Sequence, residues 1–121
     1  MRNYQKLDVW KASMRLVKSV YVSVSEFPKE EVYGLTSQVK RAAVSIPANI
    51  AEGMGRQYKK DTVQFLYIAR GSVYELETLL NIAVSINILP GSKFKLLLLS
   101  IDDTVRLLNG LINYIAKAEL K

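Results

Sequence analysis

The stretch that decides the fold is QVKRAAVSIPANIAEGMGR, residues 38–56. It combines four alanines and a proline with apolar residues that recur in steps of three and four. Small side chains on the buried face of a helix let another helix axis come close. The stretch therefore predicts a helix packed tightly against a neighbour. Pro47 lacks the amide that would bond the carbonyl of Ala43, so we expect a kink at this point.

Outward from this stretch, the 3.6-residue apolar spacing predicts four helices, over about residues 7–25, 35–52, 61–87 and 93–117. Pro28 marks the end of the first helix, Gly53 suits the C-terminal cap of the second, and Ser92 suits the N-cap of the fourth. The predicted core residues are Trp10, Met14, Val17, Tyr21 and Val24, then Leu35, Val39, Ala42, Ile46 and Ile50, then Phe65, Ala69, Ser72, Leu76, Leu80 and Ala83, and finally Phe94, Leu98, Ile101, Val105, Leu108, Ile112 and Ile115.

The core positions alternate steps of three and four, which is typical of helices packed at shallow angles. The connections between the four segments are short, so neighbouring helices should be antiparallel. The sequence thus predicts an all-α fold, an up-down-up-down antiparallel four-helix bundle, with residues 1–121 forming a single domain.

Two features of the helices favour close contacts. Gly71 lies in the middle of the third helix, where glycine costs about 1 kcal/mol relative to alanine, so we expect tight backbone packing there.

A row of polar residues also flanks the core side of the second helix. It consists of Gln38, Arg41, Ser45, Asn49 and Glu52. Either the row is a solvated flank, in which the hydroxyl of Ser45 bonds the carbonyl freed by the proline, or it contacts a neighbouring helix or subunit. In the second case Glu52 would pair with Arg56 or Arg70.

Apolar residues also recur on the faces that should point away from the core. They are Val44, Ala48, Ala51, Tyr67, Tyr74, Leu96, Leu107 and Tyr114. Two or three such residues on one helix at helical spacing suggest a contiguous apolar patch, which usually marks a protein–protein surface. We therefore favour a homo-oligomer over a monomer that tolerates these residues at its surface.

The composition argues against catalysis. The chain contains no cysteine and no histidine, which removes thiolate nucleophiles, imidazole bases and most zinc sites. Asp102 and Asp103 are adjacent, so they project about 100° apart on a helix and do not share a site. We expect a protein that is not an enzyme and needs no cofactor. The N-terminus has no secretory signal and no apolar run would span a bilayer, so a cytoplasmic location without membrane contact is expected.

The net charge of +6 lies in the first half of the chain, because residues 1–60 hold eleven Lys and Arg against five Asp and Glu. In the predicted bundle, many of these cations meet at the end that holds the start of the first helix, the second connection and the C-terminus. The cations of this "basic pole" are Arg2, Lys6, Arg56, Lys59, Lys60, Lys117 and Lys121, with Tyr4 and Tyr58 among them. Lys11, Arg15 and Lys18 extend the charge along the first helix. Cations neutralise phosphates and exposed aromatic rings stack on bases.

Three segments resemble a known family. They are LDVWKAS near the start, FPKEEVYGLTSQVKRAAVSIPANIAEGMGR in the centre and FLYIARGSVYELET in the third helix. They are similar to the four-helix-bundle proteins encoded within intervening sequences of bacterial 23S ribosomal RNA genes, and through these to the accessory variability protein of diversity-generating retroelements. The resemblance implies a homopentamer with a basic surface that faces nucleic acid. It implies no catalytic residues.

These observations leave two functions open. The first is a homo-oligomer that binds RNA or DNA without sequence specificity through the basic pole. The second is a protein-interaction scaffold, or an accessory subunit for an enzyme that processes nucleic acid, without nucleic-acid binding of its own.

Overall fold

The computed structural model describes residues 1–119, and these form four α-helices without a strand. The helices are α1 (Asp8–Val24), α2 (Leu35–Met54), α3 (Lys59–Ser85) and α4 (Gly91–Glu119). Two single 3₁₀ turns, Asn3–Lys6 and Lys29–Glu31, precede α1 and α2. The all-α prediction is confirmed, and the predicted helix ends lie within about two residues of the observed ones.

Contacts between side chains show that the helices are antiparallel. The hydroxyls of Ser45 in α2 and Ser72 in α3 lie 2.8 Å apart. Arg70 in α3 donates to the side-chain oxygen of Asn109 in α4 over 2.9 Å. At the far end, Lys93 of α4 pairs with Glu26, which follows α1. The chain therefore runs up, down, up and down, and α4 returns to lie beside α1.

Two predicted helix caps differ from the observed ones. Gly53 does not end α2, because it is buried inside the helix, which continues to Met54 before Gly55. Ser92 lies within α4, which begins at Gly91, and the carbonyl of Pro90 accepts the first helical bonds. The end of α3 has a clear local cause. Asn87 has a φ of 65°, and the amide of Ile88 donates to the carbonyl of Ala83, as in a Schellman motif.

The buried residues of three helices agree well with the predicted stripes. In α2 all five predicted residues are buried, and α2 stays helical through Pro47. In α3 and α4 the predicted residues are buried at most positions, and the others are partly buried. The partly buried ones are Phe65, Ser72, Phe94, Leu98 and Val105.

The prediction for α1 is wrong by about a quarter turn. The structure buries Val9, Ala12, Ser13, Leu16, Val20 and Val24. Tyr21 is instead 42% exposed, and the ammonium of Lys40 lies 4.9 Å from the centre of its ring. Smaller side chains let α1 lie close to the core, and the larger predicted residues cover its flank.

One buried hydroxyl group gives a test of the packing. Thr36 is 8% exposed, and its hydroxyl has no hydrogen-bond partner within residues 1–119. A buried hydroxyl without a partner costs about 1–3 kcal/mol. We expect Thr36→Val to raise the free energy of unfolding by about 1 kcal/mol in urea denaturation. Thr104→Val should lower it, because that hydroxyl donates to the carbonyl of Ser100 over 2.8 Å. If both variants lose stability, the Thr36 hydroxyl has a partner after all.

Candidate nucleic-acid interface

The antiparallel order of the helices brings four segments to one end of the bundle. These are the N-terminal 3₁₀ turn, the connection from α2 to α3, the first turn of α3 and the last turns of α4. All six basic-pole residues of the described chain are exposed, namely Arg2, Lys6, Arg56, Lys59, Lys60 and Lys117. The seventh predicted cation, Lys121, lies outside the described residues.

The connection between α2 and α3 is short and held firmly. Gly53 packs so closely on α3 that a Cβ atom at this position would lie 2.8 Å from the Cβ of Phe65. The hydroxyl of Thr62 donates to the carbonyl of Gly53 over 2.8 Å. These contacts fix the last turn of α2 against the first turns of α3, so the cations of residues 56–60 project from a rigid base.

Arg56 is already engaged within the chain. Its guanidinium pairs with Glu52 at 2.7 Å and lies 4.5 Å from the centre of the Phe65 ring. The pair is about half exposed, so it contributes little stability. It does direct the guanidinium toward the protein, which makes Arg56 a weaker candidate for phosphate contact than the sequence suggests.

Lys59 and Lys60 are exposed and open α3, directly after Tyr58. Tyr58 is 64% exposed, so its ring can stack on a base. The N-terminus of a helix carries partial positive charge, which disfavours cations in the first turn. Two lysines at this position therefore lower the stability of α3 slightly, although Asp61 in the same turn offsets part of the effect.

The pole also holds acids that reduce its charge. Asp8 opens α1 and Asp61 lies in the first turn of α3, where each anion suits the helix dipole. Tyr4 is less available than predicted, because it is partly buried and its ring meets that of Trp10 edge-on at 5.4 Å. The presence of both acids at the pole and the packing of Tyr4 against Trp10 follow from the fold and were not part of the sequence prediction.

The cationic row of α1 extends away from this pole. Lys11, Arg15 and Lys18 are all exposed, at spacings of four and three residues. Lys18 lines a groove of about 360 Å³ between α1 and α4, together with Val22 and Leu96. One end of the row therefore borders an apolar groove.

The polar row of α2 contacts α3. Ser45 bonds Ser72 on α3, and the side-chain amide of Asn49 donates to the Ser45 carbonyl and hydroxyl. Of the two partners predicted for Glu52, Arg56 is the observed one, while Arg70 bonds Asn109. The contact with a neighbouring helix is confirmed, and the hydroxyl of Ser45 faces this contact.

The predicted oligomer surface is mostly exposed. Val44, Ala48, Tyr67, Tyr74, Leu96 and Tyr114 are exposed, whereas Ala51 and Leu107 are partly buried. The expectation of tight packing at Gly71 is wrong, because a Cβ atom there would meet nothing within 4 Å. Gly71 lies on the outer face of α3, on the side away from the core.

Two other kinds of site are not found within residues 1–119. No group of three or more Asp, Glu, His or Cys residues in this part of the chain could hold a metal ion. None of the described helices is long and apolar enough to cross a bilayer.

Comparison with known proteins agrees with this fold. The structure is similar to the crystal structure of a protein of unknown function from the S23 ribosomal protein family of Bacteroides thetaiotaomicron. The TM-score is 0.73, the sequences are 22% identical, and the match covers 86% of this chain and 97% of the other. No curated protein matches the chain. A family model described as "23S rRNA-intervening sequence protein" matches residues 5–110. Neither description names a catalytic activity. Since this match spans most of the sequence, the chain belongs to the 23S rRNA-intervening sequence protein family.

Proposed function

We propose that this chain is a non-catalytic, homo-oligomeric protein of the cytoplasm that binds RNA or DNA without sequence specificity. The observation that carries the proposal is that three separate stretches of the chain, the N-terminal turn, residues 56–60 and the end of α4, contribute six exposed cations to one end of the bundle. When such cations contact phosphates, counterions are released from the nucleic acid. This gives affinity for RNA or DNA that does not depend on the base sequence.

Lys59 and Lys60 are the central residues of the proposed interface. They project from the rigid start of α3, beside the exposed ring of Tyr58. We assign Arg2, Lys6 and Lys117 to the same interface because they are exposed at the same end of the bundle, and the α1 row of Lys11, Arg15 and Lys18 to its extension. Arg56 contributes mainly by bracing the connection, through Glu52 and Phe65.

Self-association would strengthen this binding. A single pole offers few phosphate contacts, and the acids Asp8 and Asp61 lie near it. Several poles held in one particle would bind the same strand together, and this raises the apparent affinity without new contacts. We propose five copies, the homopentamer that the sequence resemblance would imply.

The exposed apolar residues support a second candidate function. Tyr67, Tyr74 and Tyr114 are 43%, 50% and 74% exposed. Aromatic residues of this kind are enriched at protein–protein interfaces. A scaffold or accessory subunit for an enzyme that processes nucleic acid would use them for its partner.

Electrophoretic mobility shifts with generic single-stranded RNA and DNA, at salt concentrations from 50 to 300 mM, test the first function. We expect binding to both, weakening steeply and linearly in a plot of log affinity against log salt. The mass of the purified particle and its absorbance ratio at 260 and 280 nm report the subunit number and any nucleic acid carried. The absence of a shift at 50 mM salt, together with a protein that co-purifies, would favour the scaffold.

A further inference from the structure

We propose that a polar hollow between α2 and α3 binds a small zwitterion of the class of a free α-amino acid. In this site Arg41 binds the carboxylate of the ligand and Glu75 binds its ammonium group. The hollow has a volume of about 260 Å³ and is lined by Gln38, Arg41, Ala42, Ser45, Ser72 and Glu75. None of the basic-pole cations is among these residues, so the site goes beyond the nucleic-acid binding proposed above and does not depend on it.

The first observation is that the two opposite charges of the hollow do not pair with each other. Neither Arg41 nor Glu75 forms an ion pair within residues 1–119. By contrast, the three arginines that follow along the chain all have side-chain partners, namely Glu52 for Arg56, Asn109 for Arg70 and Asp103 for Arg106. Arg41 and Glu75 line one hollow with both charges available to a ligand.

The register of α2 and α3 places these two charges at the same level. The hydroxyls of Ser45 and Ser72 lie 2.8 Å apart and join the two antiparallel helices. On α2, Arg41 lies four residues before Ser45, which is about 6 Å along the axis. On α3, Glu75 lies three residues after Ser72, which is about 4.5 Å in the same direction. The two charged residues therefore lie on opposite walls of the hollow, one turn beyond the serines.

The partly buried serine pair can only accept hydrogen bonds from a ligand. The hydroxyl of Ser72 donates to the carbonyl of Ile68 over 3.2 Å, so the hydroxyl of Ser45 donates to Ser72. The side-chain amide of Asn49 donates to the Ser45 hydroxyl over 2.9 Å. Each hydroxyl has thus used its proton and one lone pair, and keeps one lone pair for a donor. Two such acceptors near the carboxylate of Glu75 suit an ammonium group.

The α2 wall of the hollow suits a carboxylate. Gln38 lies one turn before Arg41, and both side chains are exposed and line the hollow. A guanidinium presents parallel N–H groups that match the two oxygens of a carboxylate, and the side-chain amide of Gln38 adds a further donor. The hollow therefore offers donors on one wall and acceptors on the other, which is the arrangement that a zwitterion requires.

The size and charge of the hollow limit the ligand to a small molecule. Its volume of about 260 Å³ lies below the range of about 300–1,000 Å³ that is usual for drug-sized ligands. An α-amino acid carries both charged groups on one carbon atom, which suits two opposite charges at the same level. Since the charges of Arg41 and Glu75 cancel, the hollow does not favour a phosphate or another anion without a cationic group.

Titration of ¹⁵N-labelled protein with each of the common L-amino acids and with glycine, followed by NMR, tests the site. We expect at least one of them to shift the amide resonances of residues 38–45 and 72–75 saturably, with a dissociation constant of about 1 mM or below. The N-acetyl derivative of that amino acid lacks the ammonium group, and its primary amide lacks the carboxylate. Each derivative should bind about tenfold more weakly or worse, because one charged residue of the hollow loses its partner.

Two variants and a control assign the binding to the hollow. Arg41→Gln and Glu75→Gln each remove one charge, and since both residues are exposed, the circular dichroism spectrum should not change. Each variant should weaken the binding by about tenfold or more. Arg15→Gln removes an exposed arginine of α1 that does not line the hollow, and it should leave the affinity unchanged.

Three results would overturn the proposal. If no amino acid shifts these resonances at about 20 mM, the hollow is not a site for this class of ligand. Binding that both variants retain in full would place the ligand elsewhere. Equal binding of the amino acid and its two derivatives would mean that the charges of Arg41 and Glu75 are not used. None of these results bears on the binding of nucleic acid, which is measured separately.

Discussion

Gly53→Val is expected to lower the free energy of unfolding by about 2–3 kcal/mol, as overpacking of a close contact does. A Cβ atom at this position would lie 2.8 Å from the Cβ of Phe65 and 3.2 Å from the carbonyl oxygen of Thr62. Neither atom can move without its backbone, so α2 and α3 would have to separate. Separation would also break the hydrogen bond from Thr62 to the Gly53 carbonyl. Urea denaturation followed by circular dichroism gives the measurement.

Gly55→Val is the matched control for this prediction. It makes the same change two residues along, where a Cβ atom would meet only the carbonyl oxygens of Ala51 and Glu52 at 3.6 Å. These are ordinary contacts, so the free energy of unfolding should change by less than about 0.5 kcal/mol. Equal stability of Gly53→Val and the wild type would mean that α2 and α3 are not in close contact at this point.

The comparison of α1 with α2 shows what the sequence could and could not predict about the fold. In α2 the large apolar residues lie on one face, so periodicity alone locates the core. In α1 large apolar residues occupy two neighbouring faces, one through Trp10 and Tyr21 and one through Leu16 and Val20. Hydrophobicity favours the larger residues, but the small Ala12 allows closer packing of the other face. Which of the two faces of α1 is buried depends on how the neighbouring helices pack against it, and the sequence of α1 alone does not determine this.

The candidate site was predictable to a similar extent. The position of Lys59 and Lys60 at a connection predicts that they are exposed, and topology predicts that they lie near the N-terminal turn. The pairing of Arg56 with Glu52 is one of the two predicted for Glu52, whereas the contact of Arg56 with Phe65 was harder to predict, because Phe65 reaches the same point from the next helix. The expectation of tight packing at Gly71 depends on the cost of a glycine within a helix and takes no account of the helix face, although the apolar stripe of α3 already places Gly71 on the side away from the core.

Lys59→Gln combined with Lys60→Gln is expected to weaken the binding of nucleic acid and to raise the stability of the protein. The loss of two phosphate contacts should weaken binding to single-stranded nucleic acid by about 60-fold at 50 mM salt, and reduce the slope of log affinity against log salt by about 1.4. The same change should raise the free energy of unfolding by about 0.5–1 kcal/mol, because two cations leave the positive end of α3.

Lys29→Gln with Lys95→Gln is the control. It removes the same charge from exposed residues near the opposite end of the bundle and should leave binding almost unchanged. Equal weakening by both pairs would attribute binding to net charge and would refute the basic pole. A rise in stability with loss of binding would indicate that these lysines serve a ligand, since neither forms an ion pair within residues 1–119.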